Sequence, residues 1–180
     1  FIDECFIEFI SNWKEKSVAD FCSENIFILR ALTKFFALPG LRLGYGICFD
    51  KKITEKINNI REPWSVNGFA DLAGKIILKD EDYIAKTEKW IEEEREWFIT
   101  SLKEIEKEKK IKVYETETNF ILIKLNSMTS SIFKEKMTEK NILVRDASNF
   151  KFLNNSYIRL AIKDREKNQK VINAVKEVLR

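Results

Sequence analysis

From residue 80 to residue 109 the chain repeats one pattern, in which apolar side chains recur about every seven residues and charged side chains fill the gaps. The recurring apolar pairs are Tyr83/Ile84, Trp90/Ile91, Trp97/Phe98 and Leu102/Ile105. This spacing predicts one long amphipathic helix with Asp80 as its N-cap. Such a helix would reach about 40 Å, so we expect it to connect two separate parts of the chain.

The parts on either side of this helix differ in pattern. Before it, the short apolar runs Phe1–Ile2, Ile26–Leu29 and Leu43–Phe49 alternate with segments of helical period, which is typical of an α/β fold with a mainly parallel sheet. After it come the candidate strands Ile111–Tyr114, Asn119–Leu125, Ile142–Arg145 and Tyr157–Ile162, a candidate helix Ser130–Glu139, and a closing helix with Val171, Ile172, Val175, Val178 and Leu179 on one face. We therefore expect an α/β chain with part of a large domain over residues 1–79, a connecting helix over 80–109, and a small α+β domain over 110–180.

Composition excludes several classes of function. Histidine is absent, which excludes mechanisms that need an imidazole base and most catalytic zinc sites. The 32 Lys+Arg and 29 Asp+Glu leave a net charge of +3, which favours neither nucleic acid nor an anionic membrane as partner. Cys5, Cys22 and Cys48 have no C-x-x-C spacing, so we expect reduced, buried thiols, no metal site and a cytoplasmic location.

The densest group of candidate functional residues is the segment L-T-K-F-F-A-L-P-G-L-R-L-G-Y at 32–45. Lys34 follows a predicted strand and has Leu32, Phe35 and Phe36 as neighbours, a setting in which desolvation would favour its neutral amine. A neutral amine can form a Schiff base with an aldehyde cofactor, and a Pro-Gly turn would bring Arg42 near it as a phosphate anchor. The alternative is a surface lysine that lies over the phenylalanines.

Other polar residues stand at the ends of predicted strands. Asp3 could face the same crevice as Lys34, because ligands of open α/β sheets bind beyond the carboxyl ends of strands, or it could be a simple cap. Arg145 and Arg159 have apolar neighbours, so each predicts an anionic partner, either a ligand or a structural salt bridge. Asn119 could contact a ligand or belong to a turn.

The Lys34 segment, together with D-E-C-F at residues 3–6, resembles the cofactor-lysine region of the fold-type-I, class I/II aminotransferase superfamily, which uses pyridoxal 5′-phosphate (PLP). The segments R-E-P-W-S-V-N at 61–67, I-L-V-R-D-A-S-N-F-x-x-L at 142–153 and Y-I-R-L-A-I at 157–162 resemble the threonine-phosphate decarboxylases of cobalamin biosynthesis and, more loosely, the histidinol-phosphate aminotransferases. The resemblance extends over essentially the whole chain.

This resemblance implies roles for the residues that bind the cofactor. Lys34 matches the lysine that binds the PLP aldehyde and later moves protons. Asp3 matches the carboxylate that pairs with the pyridine nitrogen, and Arg42, assisted by Thr33, matches the phosphate-binding arginine. Phe6 stands near the cofactor's phenolic oxygen, where many aminotransferases have a tyrosine.

For the substrate, the resemblance implies that Arg159 binds a carboxylate and that Arg145 and Asn119 line the pocket. It implies decarboxylation of L-threonine O-3-phosphate to (R)-1-aminopropan-2-yl phosphate, with a histidinol-phosphate type of aminotransferase as the alternative and a non-catalytic fragment as the remote one. The implied partners are a phosphorylated amino acid and, in the complete enzyme, a second subunit of a homodimer. The family's upstream half is not in the sequence, so we expect a C-terminal half that binds PLP poorly and is inactive alone.

Overall fold

The structure is a computed structural model that describes residues 1–180. The residues form two compact units, 1–88 and 89–180, and the division falls within one long helix, Glu81–Glu106. The side chain of Asp80 accepts a hydrogen bond from the Tyr83 N–H at 3.0 Å, which confirms its capping role. No helix combines the length and the apolar character that a membrane crossing requires.

The first unit contains a three-stranded sheet in the order β1-β2-β3. Its strands are β1 (Ile2–Asp3), β2 (Phe27–Ala31) and β3 (Gly44–Cys48), and its α-helices are α1 (Trp13–Lys16), α2 (Leu32–Phe35), α3 (Lys51–Ile60) and α4 (Gly68–Ile77). Short 3-10 helices lie at Ile7–Phe9, Val18–Phe21 and Pro39–Leu41.

The sequence predicted a mainly parallel sheet. Strands β1 and β2 are parallel, as predicted, whereas β3 is antiparallel to β2. The reason lies in the connection between β2 and β3. The residues 32–43 fold back on themselves through α2 and the 3-10 helix Pro39–Leu41, and the Leu32 N–H donates to Leu43 O at 3.0 Å. The two ends of the connection therefore meet, and the chain re-enters the sheet at the end from which it left.

A buried ion pair joins β1 to β2 behind the sheet. The Arg30 Nη2 lies 2.8 Å from Glu4 Oε2, and both side chains are almost fully buried. The Ser17 hydroxyl accepts a hydrogen bond from Arg30 at 2.6 Å, and the Val18 N–H donates to Glu4 at 2.9 Å. Burial would raise the pKa of Glu4, but the hydrogen bonds from Val18, Arg30 and Ser17 outweigh it and lower this pKa. Glu4 is therefore the ionised partner of a buried guanidinium.

The second unit contains a four-stranded antiparallel sheet in the order β4-β5-β7-β6. Its strands are β4 (Ile111–Val113), β5 (Phe120–Leu125), β6 (Arg145–Asp146) and β7 (Tyr157–Ala161), and its helices are α5 (Glu81–Glu106), α6 (Ser130–Glu139) and α7 (Arg165–Val178). Burial alternates along the strands, so one sheet face supplies the core and the other carries polar and aromatic side chains.

The core of the second unit includes one polar connection between helices. The buried Glu94 of α5 accepts hydrogen bonds from Arg165 Nε at 3.0 Å and from Asn168 Nδ2 at 2.9 Å, both on α7. The largest fully buried apolar side chains of the unit are Ile91, Phe98, Leu102, Ile111, Ile121, Ile123, Phe133, Met137, Ile158, Ile162 and Ile172. The apolar stripe that predicted α5 therefore forms part of this core.

The predicted strand Ile142–Arg145 is shorter than expected. Helix α6 ends in a Schellman motif, in which Asn141 takes a left-handed φ of 59° and donates to Thr138 O, while the Ile142 N–H donates to Met137 O at 3.0 Å. Ile142 is thus used to close a helix, and only Arg145 and Asp146 pair with β7.

The three cysteines are free thiols, but the expectation that all are buried is wrong for Cys22. It is exposed and ends the 3-10 helix Val18–Phe21 with a left-handed φ of 46°. Cys5 and Cys48 are half-buried.

The Arg30–Glu4 pair generates a stability prediction. Replacing Arg30 by Met leaves Glu4 buried without its charge partner, so the free energy of unfolding should fall by about 3–5 kcal/mol. The matched control is Lys75→Met, which removes a cation from the exposed pair with Asp71 and should cost no more than about 1 kcal/mol. Urea unfolding measures both, and equal losses in the two variants would contradict the ranking.

Glu8 generates a pH prediction. Its Oε2 is buried without a hydrogen-bond partner, and burial raises the pKa of this carboxyl above its ordinary value of 4.5. A raised folded-state pKa means that stability is greatest below the unfolded-state pKa and is lost as pH rises through the folded-state value. Glu8→Gln should therefore stabilise the protein at neutral pH but not at acid pH, and thermal unfolding across pH tests this. A benefit confined to acid pH would contradict the assignment.

Candidate active site

Lys34 lies in α2, directly beyond the carboxyl end of β2, and its side chain is exposed. Its neighbours Leu32, Phe35 and Phe36 are buried instead, because the single helical turn directs them into the core. The expectation that these neighbours desolvate the lysine is therefore wrong. The one aromatic ring near the amine is that of Phe6, whose centroid lies 5.9 Å from Nζ.

Asp3 lies at the carboxyl end of β1, in register with Leu29 of the parallel strand β2. Its side chain is exposed at the sheet end from which α2 begins, and its carboxylate accepts a hydrogen bond from the Cys5 N–H at 2.9 Å. Hydrogen bonds from the Cys5 thiol and from this N–H lower the pKa of Asp3. The carboxylate is thus kept ionised, as a partner of a protonated ring nitrogen must be.

Cys5 lies within electrostatic reach of both Asp3 and Lys34. Burial raises the pKa of its thiol to about 11, aided by Asp3 and Glu8 and opposed by the Lys34 ammonium. The carboxylate of Asp3 and the ammonium of Lys34 therefore act on the same thiol with opposite effects on its pKa. The sequence analysis predicted no role for Cys5 at this site. Its position two residues after Asp3 is the one sequence feature that indicates a contact between the two residues.

Arg42 follows the 3-10 helix Pro39–Leu41 with a left-handed φ of 55°, and its Nη1 donates to Pro39 O at 2.9 Å. The Leu32 N–H donates to Leu43 O at 3.0 Å, so the start of α2 is tied to the residue after Arg42. The predicted turn thus brings the Arg42 backbone beside α2, but no hydrogen bond joins Arg42 to Lys34. Thr33, the predicted assistant, is 6% exposed.

These side chains suit PLP chemically. An exposed primary amine can meet an aldehyde, an ionised carboxylate can meet a protonated pyridine nitrogen, and an exposed guanidinium with spare N–H donors can meet a phosphate. A cavity of about 500 Å³ adjoins Arg42 and is also lined by Tyr45, Thr54, Asn58 and Arg61. Its polar lining offers further hydrogen-bond donors beside the guanidinium.

In the second unit, Arg145 and Arg159 lie directly opposite each other on β6 and β7. The guanidinium carbon of Arg159 is 4.5 Å from the centroid of the Phe120 ring. Burial and the charge of Arg145 lower the pKa of Arg159, although an arginine stays charged at neutral pH. Neither guanidinium forms an ion pair with a carboxylate of this chain.

Asn119 stands just before β5, where its backbone oxygen accepts a hydrogen bond from the Ile162 N–H at 2.8 Å. Its side-chain oxygen is buried and has no hydrogen-bond partner. A buried acceptor without a donor is costly, so this oxygen is a candidate for contact with a ligand or a water. Sequence reasoning missed the aromatic partners Phe120 and Phe150, for which no periodic signal exists.

Comparison with known proteins identifies the family. The family described as aminotransferase class I and II matches residues 1–175. The "Putative threonine-phosphate decarboxylase" of Caldanaerobacter subterraneus subsp. tengcongensis is 41% identical over 177 residues, which are 97% of this chain and 47% of that protein. The threonine-phosphate decarboxylase of Salmonella typhimurium is 33% identical over 178 residues, which are 99% of this chain and 48% of that protein.

A solved structure agrees with this assignment. The histidinol-phosphate aminotransferase of Clostridium acetobutylicum has a TM-score of 0.93 and 38% identity, covering 99% of this chain and 53% of that one. The chain thus spans about half the length of the curated relatives it matches. The fold, the lysine segment and these matches agree, and the chain belongs to the class I and II aminotransferase family, whose cofactor is pyridoxal 5′-phosphate.

Proposed function

We propose that the complete protein containing this chain decarboxylates L-threonine O-3-phosphate to (R)-1-aminopropan-2-yl phosphate, a step of cobalamin biosynthesis. The observation that carries the proposal is the pair Arg145 and Arg159, two guanidinium groups on adjacent strands without carboxylate partners. A substrate with both a phosphate and a carboxylate supplies two anions to such a pair. The similarity to two threonine-phosphate decarboxylases supports the same substrate.

The residues of the first unit have roles in binding the cofactor. Lys34 would hold the aldehyde, Asp3 the pyridine nitrogen, and Arg42, assisted by Thr33, the phosphate. Phe6, whose ring centroid lies 5.9 Å from Lys34 Nζ, would offer the phenolic oxygen no hydrogen bond. When bound, PLP supplies an electron sink for the bond that breaks at the α-carbon of the substrate.

The residues of the second unit determine which bond breaks. The orientation of the substrate would decide which bond at its α-carbon breaks, so the residues that anchor the substrate would select between loss of carbon dioxide and loss of a proton. Arg145, Arg159 and the unpaired oxygen of Asn119 provide that anchoring. A decarboxylase would need the carboxylate oriented for loss, with the phosphate bound by one of the two arginines.

A second candidate is an aminotransferase of the histidinol-phosphate type, and the similarity to the Clostridium acetobutylicum enzyme supports it. The same arginines would serve it, because its phosphorylated substrate and its carboxylate cosubstrate are both anionic. In either case we propose a cytoplasmic homodimer. The tests below use the complete protein, because this chain spans about half of its relatives.

The first test concerns the amine of Lys34. Adding PLP to the complete protein should produce a yellow Schiff-base absorbance, and Lys34→Ala should abolish it because the nucleophile is lost. The control Lys14→Ala removes an exposed lysine of α1 and should leave the absorbance unchanged. Absence of the yellow species in the unmutated protein would favour a non-catalytic role.

The second test separates the two reactions. Incubation of the PLP-loaded protein with L-threonine O-3-phosphate should release carbon dioxide and form aminopropanol phosphate, with no 2-oxo acid. The readout is mass spectrometry of the products with and without 2-oxoglutarate. Conversion of 2-oxoglutarate to glutamate would instead identify an aminotransferase and contradict the decarboxylase.

A further inference from the structure

The loop between β6 and β7 contacts both arginines of the proposed substrate site. The side-chain oxygen of Asn149 accepts a hydrogen bond from Arg145 Nη2 at 3.1 Å. The ring of Phe150 lies 5.5 Å from the guanidinium carbon of Arg145 and 6.0 Å from that of Arg159. No other aromatic ring in the structure lies over both guanidinium groups, since the ring of Phe120 contacts Arg159 alone among the two.

The loop has a defined local conformation. The Phe150 N–H donates to Ala147 O at 3.1 Å, and the Leu153 N–H donates to Phe150 O at 3.0 Å. The Asp146 carboxylate accepts from the Ser148 N–H at 2.8 Å. These hydrogen bonds lie on both sides of Phe150, so its backbone position is fixed independently of the arginines.

Arg145 and Arg159 need a stabilising contact from this loop because the two guanidinium groups repel each other. Side chains directly opposite on antiparallel strands have Cβ atoms about 5 Å apart, and like charges at such positions are destabilising. The face of an aromatic ring attracts a cation, so one ring shared by both groups offsets part of the repulsion. Each guanidinium carbon lies within 6.0 Å of the Phe150 ring centroid, so one ring can hold both groups in place.

We propose that Asn149 and Phe150 are positioning residues that keep Arg145 and Arg159 as two separate anion-binding positions, and so select substrates with two anionic groups over substrates with one. This inference rests on the proposed function. Asn149 orients Arg145 by a hydrogen bond, and Phe150 sets the separation of the two guanidinium groups. Neither residue is assigned any contact with the substrate.

The experiment measures dissociation constants on the PLP-loaded complete protein from the change in cofactor absorbance on ligand binding, so turnover is not the only readout. The probes are L-threonine O-3-phosphate, with two anionic groups, and L-threonine, with one. Phe150→Leu should weaken binding of the phosphorylated probe about tenfold and change binding of threonine little. Phe150→Tyr retains the ring and should preserve the selectivity of the unmutated protein.

The matched control is Phe152→Leu, the same substitution two residues further along the loop. Phe152 is 92% exposed, and its ring contacts Lys151 and neither arginine. The Phe152→Leu variant should prefer the phosphorylated probe over threonine as strongly as the unmutated protein does. Asn149→Ala is a second variant, and it should also lower the preference for the phosphorylated probe. If Phe150→Leu fails to bind PLP, the result for Asn149→Ala tests the positioning role.

The outcomes separate this inference from the proposed function. If the unmutated protein prefers the phosphorylated probe but Phe150→Leu and Asn149→Ala keep that preference, the positioning role is overturned while the decarboxylase proposal stands. An equal loss in Phe152→Leu would also overturn it. If the unmutated protein shows no preference for the phosphorylated probe, both proposals fail. A selective loss in the two loop variants, with retention in Phe150→Tyr and Phe152→Leu, supports the inference.

Discussion

The buried ion pair of Glu4 and Arg30 determines where the functional residues of the first unit stand. Successive side chains of a strand point to opposite faces, so turning Glu4 inward turns Asp3 outward. Arg30 occupies the same inner face of β2, two residues before α2 begins with Leu32. The pair therefore sets β1 against β2 in the register that places the acid and the lysine at one end of the sheet.

The same alternation organises the second unit with different chemistry. Ile121, Ile123 and Ile158 supply the core, so the residues between them must face the other side of the sheet. There Arg159 lies beside Phe120 and opposite Arg145, and the cost of adjacent like charges is reduced by aromatic rings. A sheet with an aliphatic face and a cationic, aromatic face is stable and still open to an anion.

The sequence predicted elements where a local pattern determines the structure. Periodicity found α5 and α6, and the lysine and arginine motifs identified the family. The antiparallel direction of β3 was missed because it depends on how the connection 32–43 folds back, and the helix cap at Ile142 was missed because it depends on how α6 ends. The Glu4–Arg30 pair joins residues 26 positions apart, and no periodic pattern reveals such a contact. The exposure of Lys34 was misjudged for a related reason, since apolar neighbours in sequence were taken for neighbours in space.

Because Lys34 is exposed, apolar neighbours in this chain do not make its amine reactive. Burial by this chain does not desolvate the amine, and the nearest aromatic ring belongs to Phe6. The groups whose ionisation the chain does control are Asp3 and Cys5. The Cys5 thiol stays protonated because of burial and the nearby carboxylates, and as a hydrogen-bond donor it lowers the pKa of Asp3. In this chain the electrostatic preparation of the site therefore centres on the acid that meets the cofactor ring, and the neutral thiol beside that acid is part of it.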